Sequence, residues 1–162
     1  METLFIITAA VAVTATVLVI TGSHVVHALL CLVLSLLAVA ALFFFMGAPF
    51  AAALEVIVYA GAIMVTFVFV IMMLNLGSDA LEHERRTLAP RFWLLPLLLG
   101  AVLLAEVLYV IHAGWTPAAG GGLSPQQVGA SLFGPYLLVV ELAAFLLAAG
   151  LLGACHLARG DG

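Results

Sequence analysis

Three carboxylates interrupt runs that are otherwise apolar and uncharged: Glu55, Glu106 and Glu141. A carboxylate at the centre of a bilayer costs about 2.5–3.5 kcal/mol on insertion scales, so such a residue faces protein or water and marks candidate proton chemistry. A carboxyl held away from water without a cationic partner favours its neutral, protonated form. The chain has no Lys, and no Arg inside these runs, so a cationic partner would have to come from another chain. Glu141 lies near the middle of its run and is expected to be buried or water-lined. Glu106, toward the end of its run, is expected to reach the interface. Glu55, about two turns inside its run, is open to either reading. Glu55 and Tyr59 are four apart, so on a helix they share a face and can meet. Tyr59-Ala60-Gly61-Ala62 then sets a phenol beside three small residues. Small residues allow close helix approach in lipid, and an internal Gly also tolerates a kink or a π-bulge. By pattern alone, close packing is the plainer reading.

Other reactive residue types are less suggestive. His24 and His27 sit three apart and His156 falls near the same membrane face, without the carboxylate or thiolate spacing of a metal site. They read as interfacial histidines. Cys31 and Cys155 lie in apolar runs at unrelated spacing, which gives neither a CxxC pair nor a disulfide framework. They read as small apolar core residues. The sequence has no nucleophile elbow, phosphate loop, dinucleotide fingerprint or haem-attachment motif, so no catalytic, cofactor-binding or metal-ligating residue is assigned.

The elements that must position these residues follow from composition. The 162 residues are 67% hydrophobic and 7% charged, and the mean hydropathy is +1.37. Soluble domains carry about 25% charged residues. A soluble fold of this length would lack the polar surface to face water. Four Arg, no Lys and a net charge of -4 exclude nucleic acid as a partner, and the apolar content excludes disorder. An integral membrane protein remains. About 20 apolar residues cross a bilayer as a helix. The runs are continuous rather than alternating, which selects helices over a barrel.

The reading is an all-α integral membrane protein, a single membrane domain over 1–162 with five transmembrane helices at about 3–21, 26–46, 50–76, 92–113 and 130–157. The first run has no Lys or Arg before it and another span directly after it, so it is expected to be a retained helix rather than a signal peptide. Arg85, Arg86, Arg91 and Arg159, all four Arg of the chain, fall on one side of such a bundle. The positive-inside rule then makes loop 77–91 and the C-terminus cytoplasmic, and the N-terminus and the Gly-rich loop 114–128 periplasmic. Trp93 and Trp115 flank the fourth span as an aromatic belt would.

The third span carries a longer pattern. Ala53-Leu54-Glu55-Val56-Ile57-Val58-Tyr59-Ala60-Gly61-Ala62-Ile63-Met64-Val65, continuing through Phe67-Val68-Phe69-Val70 to Met72-Met73-Leu74-Asn75-Leu76, resembles subunit J of bacterial respiratory complex I, the counterpart of mitochondrial NADH dehydrogenase subunit 6. His27-Ala28-Leu29-Leu30, Leu132-Phe133-Gly134-Pro135-Tyr136 and Val140-Glu141-Leu142 fit the same family in the same order. Helix four, Glu106 and the Gly-rich loop lie outside any motif of this resemblance.

The resemblance implies a non-catalytic membrane-arm subunit of proton-pumping NADH:quinone oxidoreductase in the bacterial inner membrane. It implies a hetero-oligomer with the membrane subunits A, H, K and N within the lipid bilayer. The chain would bind no cofactor itself, with FMN, iron–sulfur clusters and quinone held by other subunits. It further implies a third helix that switches between a π-bulged and a regular form, with the bulge at about Tyr59 to Phe67. One residue of register is about 100° of rotation. Glu55, Tyr59, Gly61, Met64, Val65, Phe67 and Glu141 are the gating and proton-path candidates, the apolar ones swinging in and out of a hydrated passage. The alternative is an accessory membrane subunit of a multisubunit cation/proton antiporter, with Glu141 in an ion path that runs without NADH. A scaffold that only fills space between partners is the third possibility.

Overall fold

The computed structural model describes residues 2–22, 25–73, 90–114 and 122–159, with side chains at all of these except 90–92. The described residues are helical, without strands, and five helices among them are long and apolar enough to cross a membrane: Glu2–Thr21, Val25–Phe45, Pro49–Met73, Trp93–His112 and Leu137–Arg159. Two compact units divide the chain, Met1–Gly122 and Leu123–Gly162.

The first unit is built on α1 (Glu2–Thr21) and α2 (Val25–Phe45). Their seam is made of small residues. Ala15 and Ala38 are 0% exposed, and Val11 and Ala12 pack beside them. With no apolar driving force between helices in lipid, such small side chains hold a pair together by letting backbones approach. Leu99 and Leu103 of α5 (Pro90–His112) complete this core, flanked by Leu18, Leu34 and Leu42. A polar contact runs across the seam: the Thr16 and Ser35 hydroxyl oxygens are 2.8 Å apart. The threonines of α1 also donate back along their own helix, Thr14 to Ala10 O at 2.7 Å and Thr21 to Val17 O at 2.8 Å. Hydroxyls in a lipid-facing helix are satisfied this way without a partner chain.

Gly47 (φ 81°) closes α2 in the left-handed conformation. The Gly47 amide donates to Phe44 O at 3.1 Å and the Ala48 amide to Phe43 O at 3.0 Å, the Schellman pairing. Pro49 starts the next helix at once, where its missing N–H costs nothing. That third span consists of α3 (Pro49–Leu54), a π-helical segment π1 (Glu55–Ile63) and α4 (Met64–Met73). The expected continuation to 76 and the loop 77–89 lie outside the described residues, as do His24, Arg85, Arg86 and Trp115.

In the second unit, the helix expected over 130–157 is two helices, α6 (Pro125–Leu132) and α7 (Leu137–Arg159). Ser124 caps α6 in a capping box: its Oγ accepts from the Gln127 amide at 3.2 Å, and its own amide donates to Gln127 Oε1 at 2.9 Å. The break falls at Gly134-Pro135. Pro135 has no N–H to give to Ser131 O, and the residue before a proline is pushed out of helical geometry. The Tyr136 amide takes that carbonyl instead, at 3.1 Å.

Candidate functional site

The third span changes register twice. At its start the Glu55 amide donates to Ala51 O, four residues back, as in a regular helix. At its end the Met64 amide donates to Tyr59 O, five residues back. Between them nine residues, Glu55–Ile63, are π-helical. π-helix is rare and usually a single turn inside an α-helix, so nine consecutive residues are a costly local arrangement. The segment begins four residues before the stretch that the family resemblance implied.

Gly61 is the glycine of this segment. A Cβ built on Gly61 would lie 3.2 Å from Val56 O, the carbonyl five residues back. In a regular helix the amide bonds four residues back and that carbonyl is not its neighbour. That particular contact belongs to the π register; in a regular helix a Cβ here would meet the carbonyls three and four residues back instead, and glycine leaves either approach open.

Six of the seven candidate residues fall on this span. Glu55 opens π1 and is half-buried; Tyr59 (50% exposed) and Gly61 lie within it. No hydrogen bond joins Glu55 to Tyr59 among the described residues, although they lie four apart. Met64 is the buried residue of α4, at 2% exposed, whereas Val65 and Phe67 are 66% and 51% exposed. Met64 is therefore a packing residue in this conformation, whereas Val65 and Phe67 are among the many apolar side chains of the span turned outward. No residue of π1 is buried among the described residues. An open cleft of about 320 Å³ runs along the same span, lined by Ala62, Ile63, Thr66, Phe67 and Val70. Glu141, the seventh candidate, lies on α7 in the second unit, where it is exposed and no residue of its helix is buried. The cover expected for it does not come from this helix.

Glu106 departs from its expected place at the interface. It is 7% exposed, and its Oε2 is 2.7 Å from the hydroxyl of Thr8, which is itself 0% exposed. The helix that carries it packs against α1, so the side chain turns inward rather than outward. Thr8 was not legible as its partner, because Thr8, Thr14 and Thr16 read alike in an apolar run.

The chain matches the family model of NADH-ubiquinone/plastoquinone oxidoreductase chain 6 over residues 15–157. It is 56% identical to the NADH-quinone oxidoreductase subunit J of Pseudomonas aeruginosa, with 99% of this chain and 98% of that one covered. It is 51% identical to the subunit J of Escherichia coli K12, covering 98% and 87%. To the subunit J of Buchnera aphidicola from Schizaphis graminum it is 44% identical, covering 98% of each. Matched along almost the whole length of these relatives, each named NADH-quinone oxidoreductase subunit J, the chain belongs to the NADH-ubiquinone/plastoquinone oxidoreductase chain 6 family.

Proposed function

We propose that this chain is a non-catalytic membrane-arm subunit of a proton-translocating NADH:quinone oxidoreductase, and that its third span couples quinone reduction to proton movement by changing register. The observation that carries the reading is the nine-residue π-helical segment Glu55–Ile63, set between regular helix on both sides. Conversion to a regular helix shifts the hydrogen bonds from five residues back to four. Everything beyond the segment then turns by about 100°. Val65 and Phe67, exposed in the present conformation, would be carried to a different face. A carboxylate on a neighbouring subunit would then meet water in one state and apolar side chains in the other.

The exposed length of the third span and of α7 supports burial against other chains, since lipid alone gives no reason for small residues and carboxyls on those faces. The partners in this reading are subunits A, H, K and N, with lipid covering the remainder. FMN, iron–sulfur clusters and quinone belong to other subunits. The N-terminus is periplasmic and the C-terminus cytoplasmic, in the bacterial inner membrane, on the strength of the Arg distribution.

Mild solubilisation of native membranes carrying a tagged chain tests the assignment. The chain should migrate in one large species with NADH-oxidising activity. Migration alone, or with a cation/proton antiporter that lacks NADH oxidation, would overturn it.

A further inference from the structure

The Thr8 hydroxyl has one hydrogen and two acceptors within reach. Its oxygen lies 2.9 Å from Leu4 O on its own helix and 2.7 Å from Glu106 Oε2 on α5. Both side chains are more than nine-tenths buried, and Glu106 Oε1 is buried without a partner among the described residues. Among the described residues no cationic side chain bonds to the site. The chain has no Lys, and Arg91, on the same helix, is fifteen residues away, or roughly 22 Å at 1.5 Å per residue. The other titratable side chains of α1, α2 and α5 (Glu2, His27, Cys31, Tyr109 and His112) are not its hydrogen-bond partners.

An ionised Glu106 would offer two charged oxygens to a single shared hydrogen and leave one of them bare, in a setting where each unpaired charge is costly. A neutral Glu106 resolves the count. Its own O–H donates to Thr8 Oγ1, and Thr8 donates to Leu4 O. Each hydrogen is then used once, and what is left over is one carbonyl lone pair, the kind of buried group that proteins leave unmade most readily.

We propose that Glu106 and Thr8 form a proton-binding site between α1 and α5, in which Glu106 holds a proton as a neutral carboxylic acid and Thr8 accepts its hydrogen bond. The Oε2–Oγ1 separation of 2.7 Å is an ordinary O–H···O distance and admits the acid as donor. The site is separate from the register-shifting span, since none of its atoms comes from residues 49–73.

Infrared spectroscopy of the chain in its native membrane complex tests this at neutral pH. Compared with the unmodified protein, Glu106→Gln should lose one protonated-carboxyl C=O band and leave the carboxylate bands unchanged. Thr8→Val should shift that same band upward, because the acid loses its acceptor. Loss of carboxylate intensity in Glu106→Gln, with the protonated-carboxyl region unaltered, would overturn the proposal. If Glu106→Gln fails to assemble, the Thr8→Val comparison decides alone: a shifted band supports the site, and an unmoved protonated-carboxyl region refutes it.

Discussion

At the scale of single residues, the carboxyls separate by what surrounds them. Glu106 is enclosed within the first unit and bonded to Thr8. A Gln there can still donate to Thr8 Oγ1, so Glu106→Gln should assemble to near-normal levels. Glu106→Lys forces a charge into the same enclosure, at a cost on the order of 2.5–3.5 kcal/mol. Immunodetection of assembled complex in membranes should show most of it lost. Glu141 poses a different question, because it is exposed on α7 and meets its surroundings only through neighbours from elsewhere. If those neighbours hydrogen-bond it, Glu141→Gln should retain assembly and lower coupled activity. Glu141→Ala should cost more, by about 1–3 kcal/mol, through the partners it leaves unsatisfied. Full coupled turnover in both variants, at native expression, would make this carboxyl a passenger. The two cases could not be told apart in the sequence. Both are a Glu in an apolar run, and only packing distinguishes an enclosed one from an open one.

At the scale of elements, lipid does most of the specifying. The backbone of an apolar run about 20 residues long has to be helical, and Gly or Pro marks where each helix stops. That is why the first, second and fourth spans were legible to within about two residues, the ordinary scatter of helix ends. The seam of α1 and α2 shows what such reading leaves out: Ala15 and Ala38 are fully enclosed, while other alanines of similar setting are not. Ala38→Leu should overpack this seam and destabilise the pair by about 1–3 kcal/mol. The check is a lower thermal midpoint of the detergent-solubilised complex, with Ala41→Leu, on the less enclosed side, as the milder comparison. Two features were harder to read. The break at 133–136 needs Pro135 to be recognised as ending one helix and starting another, when apolar residues continue on both sides. The limits of the π segment depend on which carbonyl each amide selects. Gly61 lies inside the segment without announcing where it begins, and the stretch implied by the resemblance, about Tyr59 to Phe67, overlaps Glu55–Ile63 without sharing its start.

At the scale of the whole molecule, the membrane character and the family were open to reading because composition excludes everything soluble and the third-span string is long. The work of the protein is less visible in one chain, because the spans that carry the candidate residues leave their faces open. The register change is the central claim, and Gly61 is where it can be tested with least ambiguity. A Cβ at this position meets Val56 O at 3.2 Å in the π form, closer than ordinary van der Waals contact. A β-branched side chain, stiff at χ1, makes the crowding worse. Overpacking of this kind costs about 1–3 kcal/mol, and even 1 kcal/mol is roughly a fivefold change in population. The decisive measurement is turnover in the fraction of Gly61→Val complex that assembles. NADH-to-quinone reduction and proton pumping should both fall several-fold, while electron transfer from NADH to an artificial acceptor that bypasses the membrane arm stays unchanged. Normal quinone reduction and normal pumping in that assembled fraction would contradict the register change and leave the chain a scaffold.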